Sequence, residues 1–174
     1  MKFGPANQIT LVRAVLVAVL ASHFIQPATP TAAWRIVIVA IVAALLDGLD
    51  GWAARRTGTV SAFGTRFDME TDAALILVLA VLAWQYGKAG PWVLLSGLLR
   101  YIFVAAGWLW PWMRAPLAST LRGKIVCVVQ IVALIVAMAP TIAPPPSSLV
   151  AAVGLLALCY SFLVDTLRLW RGTG

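Results

Sequence analysis

An all-α, polytopic membrane protein with six transmembrane helices is the fold this chain predicts, and three observations carry that prediction. The 174 residues are 62% hydrophobic and 11% charged, whereas a soluble domain carries about 25% charged residues. Apolar runs of roughly 20 residues, the length that crosses a bilayer core, recur six times with short connections. The Lys and Arg residues gather at the ends of those runs, where topology and anionic headgroups account for them. The whole of 1–174 reads as one integral-membrane domain, without a soluble domain, internal repeat or low-complexity linker. A net charge of +7 would suggest nucleic acid in a soluble protein, but cations scattered at span ends exclude that partner. Cys127 and Cys159 both lie inside apolar runs and read as small hydrophobes rather than a disulfide.

In chain order, residues 1 to 7 are a polar lead-in to a first span from Ile9 to about Ile25. Arg13 interrupts its early part and no clear cleavage site follows, so it reads as a retained span and not a signal peptide. Pro27 and Pro30 mark a turn before the second span, from about Thr31 to Arg56. A polar segment, Thr57 to Arg66, links it to the third, from about Phe67 to Tyr86. Gly87, Lys88, Gly90 and Pro91 form the next turn. The fourth span runs from Pro91 to Trp110, with Arg100 near its middle, and Pro111 to Arg122 is a polar connection. The fifth runs from Leu121 to Ala139. An uncharged, proline-rich loop then leads to the sixth, from Leu149 to Leu169. Excess Lys and Arg on the termini and on the second and fourth loops predicts that both termini face the cytoplasm. His23 and the Trp108, Trp110 and Trp112 cluster read as interfacial residues.

Function is concentrated in one stretch. Five of the six acidic residues, Asp47, Asp50, Asp68, Glu70 and Asp72, lie between positions 47 and 72. Asp47 and Asp50 are spaced i, i+3 near the end of one span, and Asp68 and Asp72 i, i+4 at the start of the next, so each pair shares a helix face. Antiparallel packing brings the four together on one membrane side. Four carboxylates at low dielectric repel, so protonation or bound cations must hold them. All-oxygen ligands select hard ions such as Mg2+, Mn2+ or Ca2+. Gly48, Gly51, Ala53, Ala54 and Gly64 allow close backbone or ligand approach. Arg55 and Arg56 add cations, and metals with arginine are how proteins hold a pyrophosphate.

Read as a pattern, the stretch is Asp47, two residues, Asp50-Gly51, two residues, Ala54-Arg55, eight residues, Gly64, three residues, Asp68, three residues, Asp72. It resembles the signature of the CDP-alcohol phosphotransferases at all eight fixed positions. The early Asn7-Thr10-Arg13 array and Gly123-Lys124 followed by Gln130 are similar to bacterial members, of the kind that make phosphatidylglycerophosphate. The resemblance implies two Mg2+ or Mn2+ ions on Asp47, Asp50, Asp68 and Asp72, with Asp72 also the general base. It places Gly51, Ala54, Arg55, Gly64, Asn7 and Thr10 at the CDP site. It further implies a CDP-diacylglycerol donor, a small polar alcohol acceptor, a cytoplasm-facing polar cavity at a bacterial inner membrane, and a homodimer.

Ionisable residues within spans are functional candidates. Arg100, Arg114, Arg122, Lys124 and Arg13 are the candidate phosphate ligands for the acceptor, with glycerol 3-phosphate the preferred one. Each has a plainer alternative. Arg100 could be the structural partner of an aspartate, Arg114 could serve topology alone, Arg13 could snorkel from a capped helix, and Arg122 with Lys124 could anchor headgroups. Cys127 stands where many glycerophosphate-using relatives have threonine, which leaves the acceptor class open. Two other functions compete with this reading. A transferase moving phosphocholine or phosphoethanolamine from a CDP-amino alcohol to diacylglycerol would use the same metal site. An Asp-lined cation transporter predicts acids spread through the membrane depth, whereas these lie on one side.

Overall fold

The computed structural model describes residues 5–57, 62–110 and 121–171, with residues 5–7, 50–57, 62 and 171 described by backbone alone. Six α-helices account for most of them: α1 (Pro5–Ala21), α2 (Pro30–Thr57), α3 (Ala62–Gln85), α4 (Leu95–Leu109), α5 (Leu121–Met138) and α6 (Pro146–Arg171). Short 3-10 turns extend α1 over Ser22–Ile25 and precede α4 over Pro91–Leu94. No strand occurs among the described residues.

Local chemistry sets the boundaries. Proline opens α1, α2 and α6, where its fixed φ and missing N–H carry no penalty. Thr29 caps α2, its Oγ1 accepting from the Ala32 N–H at 3.2 Å, which satisfies a donor the first turn would otherwise leave open. At the end of α3 the Gly87 N–H donates to Trp84 O at 3.0 Å and the Lys88 N–H to Ala83 O at 2.8 Å. This bond pair is a Schellman closure, and it needs the positive φ of Gly87, 66°. The turn expected there is present.

Two expected boundaries shift. The third span begins at Ala62 and not near Phe67, and the second continues to Thr57, so helix replaces most of the polar linker. Asp68 and Asp72 therefore sit in the second and third turns of α3. Residues 58–61, the remaining linker, lie outside the described residues.

Among the described residues, five segments are long and apolar enough to cross a membrane: Gln8–Ile25, Pro30–Leu49, Pro91–Leu109, Leu121–Met138 and Pro146–Trp170. The expected third span is not among them, because Arg66, Asp68, Glu70 and Asp72 occupy the first half of α3. Its second half is nevertheless the centre of the bundle. Helix α3 packs against α1, α4 and α5, while α5 packs on α2 and most extensively on α6. Leu75, Leu79, Leu82 and Ala83 are fully buried or nearly so, as befits a helix enclosed on most sides.

Each outer helix turns one stripe inward. Thr10, Arg13, Val17 and Leu20 are buried on α1, and Ala33, Ile36, Ala40 and Ala43 on α2. Two glycines set close approaches. A Cβ on Gly97 of α4 would lie 2.5 Å from the Leu77 Cα, and one on Gly154 of α6 would lie 2.5 Å from the Gln130 Oε1. Substitution at Gly97 would thus push α4 off the backbone of α3. An apolar groove of about 450 Å³ between α5 and α6 is lined by Val128, Val132, Val136, Leu149 and Val153 among others. Its walls offer no ionisable group, so the polar chemistry lies elsewhere.

Candidate metal centre

The helix stripes explain why the acids converge. Asp47 continues the Ala33, Ile36, Ala40, Ala43 stripe of α2 one turn further, and Asp68 and Asp72 precede Leu75, Leu79 and Leu82 on the inward stripe of α3. Asp47, Asp68 and Asp72 each offer a carboxylate oxygen within 4.8 Å of the others. The three are part-exposed, with side-chain exposures of 24%, 37% and 19%, so the cluster opens toward one end of the bundle.

Arg13 reaches the same point from α1 and is completely buried. Its Nη1 lies 2.9 Å from the Asp47 Oδ1 and 2.5 Å from the Asp68 Oδ1, and its Nη2 pairs with the Asp72 Oδ1. One guanidinium therefore bridges three helices. From α5, the Cys127 thiol points at the Asp72 Oδ2 from 4.0 Å. Lys124, one turn earlier on α5, is exposed and contributes with Arg13 to the positive field at Asp47.

Three of the four predicted aspartates are thus brought together. Asp50, Gly51, Ala54 and Arg55 follow on the last turns of α2, as does Asn7 on the first turn of α1, and their side chains lie outside the described residues. Arg114 lies outside them altogether. Gly64 is in the first turn of α3, and Thr10 is buried one turn before Arg13 on the same face. Expected as a phosphate ligand or a snorkelling residue, Arg13 is instead enclosed by carboxylates. The signal was available: Thr10, Arg13, Val17 and Leu20 form a 3-4-3 stripe, which puts the arginine on the packed face.

Two of the other candidate cations, Arg100 and Arg122, have carboxylate partners of their own. The Arg100 Nη2 on α4 lies 2.5 Å from the Glu70 Oε1 on α3, so its partner is a glutamate and not one of the aspartates. Arg122 at the start of α5 pairs with Asp165 near the end of α6. These pairs tie α4 to α3 and α6 to α5 at the acidic end. His23 is buried, its Nδ1 3.1 Å from the Val19 carbonyl oxygen, so it completes the end of α1 rather than facing an interface. Trp108 and Trp110 are exposed, and Trp112 lies outside the described residues.

The donor set fits a hard divalent cation: oxygen-only, clustered and partly shielded from water. Three carboxylates against one guanidinium leave a net negative charge that such an ion would balance.

The family described as CDP-alcohol phosphatidyltransferase matches residues 4–164. The chain is 31% identical over 144 residues to the "CDP-diacylglycerol--glycerol-3-phosphate 3-phosphatidyltransferase" of Escherichia coli K12, covering 77% of this chain and 76% of that protein. It is 30% identical over 108 residues to a protein of the same name from Cereibacter sphaeroides, covering 60% of this chain. That match spans about half, 49%, of the Cereibacter protein. The Shigella boydii relative matches at 31% over 144 residues.

Proposed function

The chain belongs to the CDP-alcohol phosphatidyltransferase family, and on that premise we propose that it moves a phosphatidyl group from CDP-diacylglycerol to glycerol 3-phosphate, releasing CMP. The observation that carries the chemistry is the convergence of Asp47, Asp68 and Asp72 from two helices. The acceptor is supported by the names of the relatives and by Lys124 beside the cluster.

Asp47, Asp68 and Asp72, with Asp50 beside them in sequence, would hold Mg2+ or Mn2+, two ions in the reading offered by the motif. When bound, these ions neutralise the pyrophosphate and make CMP a better leaving group. The remaining work falls to side chains. The acceptor hydroxyl loses its proton to Asp72 at Oδ2, the oxygen that Arg13 does not engage. The new bond forms from that hydroxyl oxygen to the β-phosphorus as the bond to CMP breaks, and the negative charge leaves on CMP. Arg55 and Arg56 flank the pyrophosphate. Lys124, with Arg100, Arg122 and Arg114, orients the acceptor phosphate. Gly51, Ala54 and Gly64 admit the cytidine, with Asn7 and Thr10 on α1 alongside.

The membrane arrangement follows the same reading. Helix α3 is the third of six spans, its acidic first half lining a polar cavity and its apolar second half buried by neighbours. The cationic loops and both termini face the cytoplasm of a bacterial inner membrane. Acyl chains of the donor stay in lipid while its head enters the cavity, and a homodimer is the working assembly.

Release of CMP by the purified protein with CDP-diacylglycerol and Mn2+, one alcohol at a time, tests this. Release that requires glycerol 3-phosphate and stops with EDTA is expected. Release from CDP-choline with diacylglycerol instead would reverse donor and acceptor, and metal-independent release would sink the metal reading.

A further inference from the structure

Arg13 is an unusual neighbour for a metal site. It is fully buried, and both terminal nitrogens are turned to the carboxylates that would hold the ion, Nη1 to Asp47 and Asp68 and Nη2 to Asp72. Burying a guanidinium is tolerated only with good partners, and among the described side chains these three acids are such partners. Conversely, three carboxylates this close need a counter-charge to remain together. Arginine suits the task because it stays protonated and its planar fork reaches several oxygens at once. Each aspartate gives it one oxygen, Oδ1. The contacts come from α1, whereas the acids lie on α2 and α3, so the guanidinium also fixes how these helices meet.

We propose that Arg13 is a tethered counter-cation: it keeps Asp47, Asp68 and Asp72 gathered before metal binds and competes with the divalent ion for their charge. This inference rests on the metal reading given above. It makes two demands that a purely structural arginine would not. Removing the charge destabilises the metal-free protein but tightens metal binding, because a divalent ion no longer meets a fixed cation on its own ligands. A lysine at this position keeps the charge but loses the fork.

The test is Mn2+ binding to the purified full chain, read as free Mn2+ by electron paramagnetic resonance, together with thermal unfolding with and without Mn2+. The variants are Arg13→Gln and Arg13→Lys. Arg13→Gln is expected to bind Mn2+ about tenfold tighter or more than the parent. Its unfolding midpoint falls without metal and recovers at saturating Mn2+. Arg13→Lys keeps the parent affinity within about threefold. Equal or weaker Mn2+ binding by Arg13→Gln overturns the proposal, since the arginine would then assist the metal. Should Arg13→Gln not fold, Arg13→Lys decides the matter: a lowered metal-free midpoint that saturating Mn2+ restores supports competition, and a deficit that Mn2+ leaves unchanged overturns it. If the parent protein itself binds no Mn2+, the metal reading fails and this inference with it; binding by the parent alongside unchanged affinity in Arg13→Gln overturns this inference alone.

Discussion

Arg13 and Lys88 are two buried cations serving opposite ends of α3, and the bundle treats them differently. Thirteen helical residues separate Asp72 from the end of α3, a rise of about 20 Å. At the acidic end, the described partners of Arg13 are three side-chain carboxylates. At the other, Lys88 donates to two backbone carbonyls, Ala139 O at 2.9 Å and Ile142 O at 2.7 Å. Its own carbonyl accepts from the Ser147 and Ser148 hydroxyls at 2.7 and 2.9 Å. Backbone acceptors can do one thing, which is to fasten the α3–α4 turn to the α5–α6 connection. Carboxylates can also bind a metal or take a proton. The same problem, a charge away from water, is thus solved by a fixed clasp at one end and by exchangeable partners at the other. The difference marks where chemistry is placed.

That contrast can be broken experimentally, beginning with its largest expected effect. Asp72→Asn removes the proposed proton acceptor and should lower the CMP release rate by at least about a hundredfold, while the protein still binds donor; near-parent turnover would strip Asp72 of that role. Asp47→Asn should raise the Mn2+ concentration for half-maximal activity about tenfold or more, and an unchanged metal curve would remove Asp47 from the site.

The opposite end should respond in stability alone. Lys88→Met leaves the Ala139 and Ile142 carbonyls without their donor, a loss of about 1–3 kcal/mol. Thermal unfolding should show a midpoint several degrees lower, with CMP release per folded molecule as in the parent. A selective loss of turnover would erase the distinction between the two ends.

The smallest effect is a pH slope. Burial holds the Lys88 ammonium below its ordinary value. Between that lowered value and the usual lysine pKa near 10.4, the unfolded chain binds more protons than the folded one. Stability from this group therefore rises with pH across that window. Unfolding midpoints of the parent and Lys88→Met measured up to pH 10 should differ in slope in that direction; parallel curves would show that the lysine does not titrate there.

Much of the architecture was legible because its signals are local. Proline at helix starts, the Gly87 turn and the apolar runs each act within a few residues. The carboxylate spacings likewise predicted a cluster, since i, i+3 and i, i+4 positions share a face whatever the helix packs against. Partner choice was less legible. Arg100 with Glu70 and Arg122 with Asp165 link residues 30 and 43 positions apart, and nothing in either neighbourhood selects that acid over another.

By itself, the sequence determined the helical class, the order of the helices, the turn at Gly87 and the gathering of aspartates near one end, all consequences of composition and helical period. Tertiary structure alone decided that Arg13 closes the aspartate cluster, that Cys127 faces Asp72, and that α4 meets α3 at Gly97. A local stripe can put Arg13 on a packed face, but which groups it meets there depends on the rotation and axial register of one helix against another, which packing over the whole bundle sets.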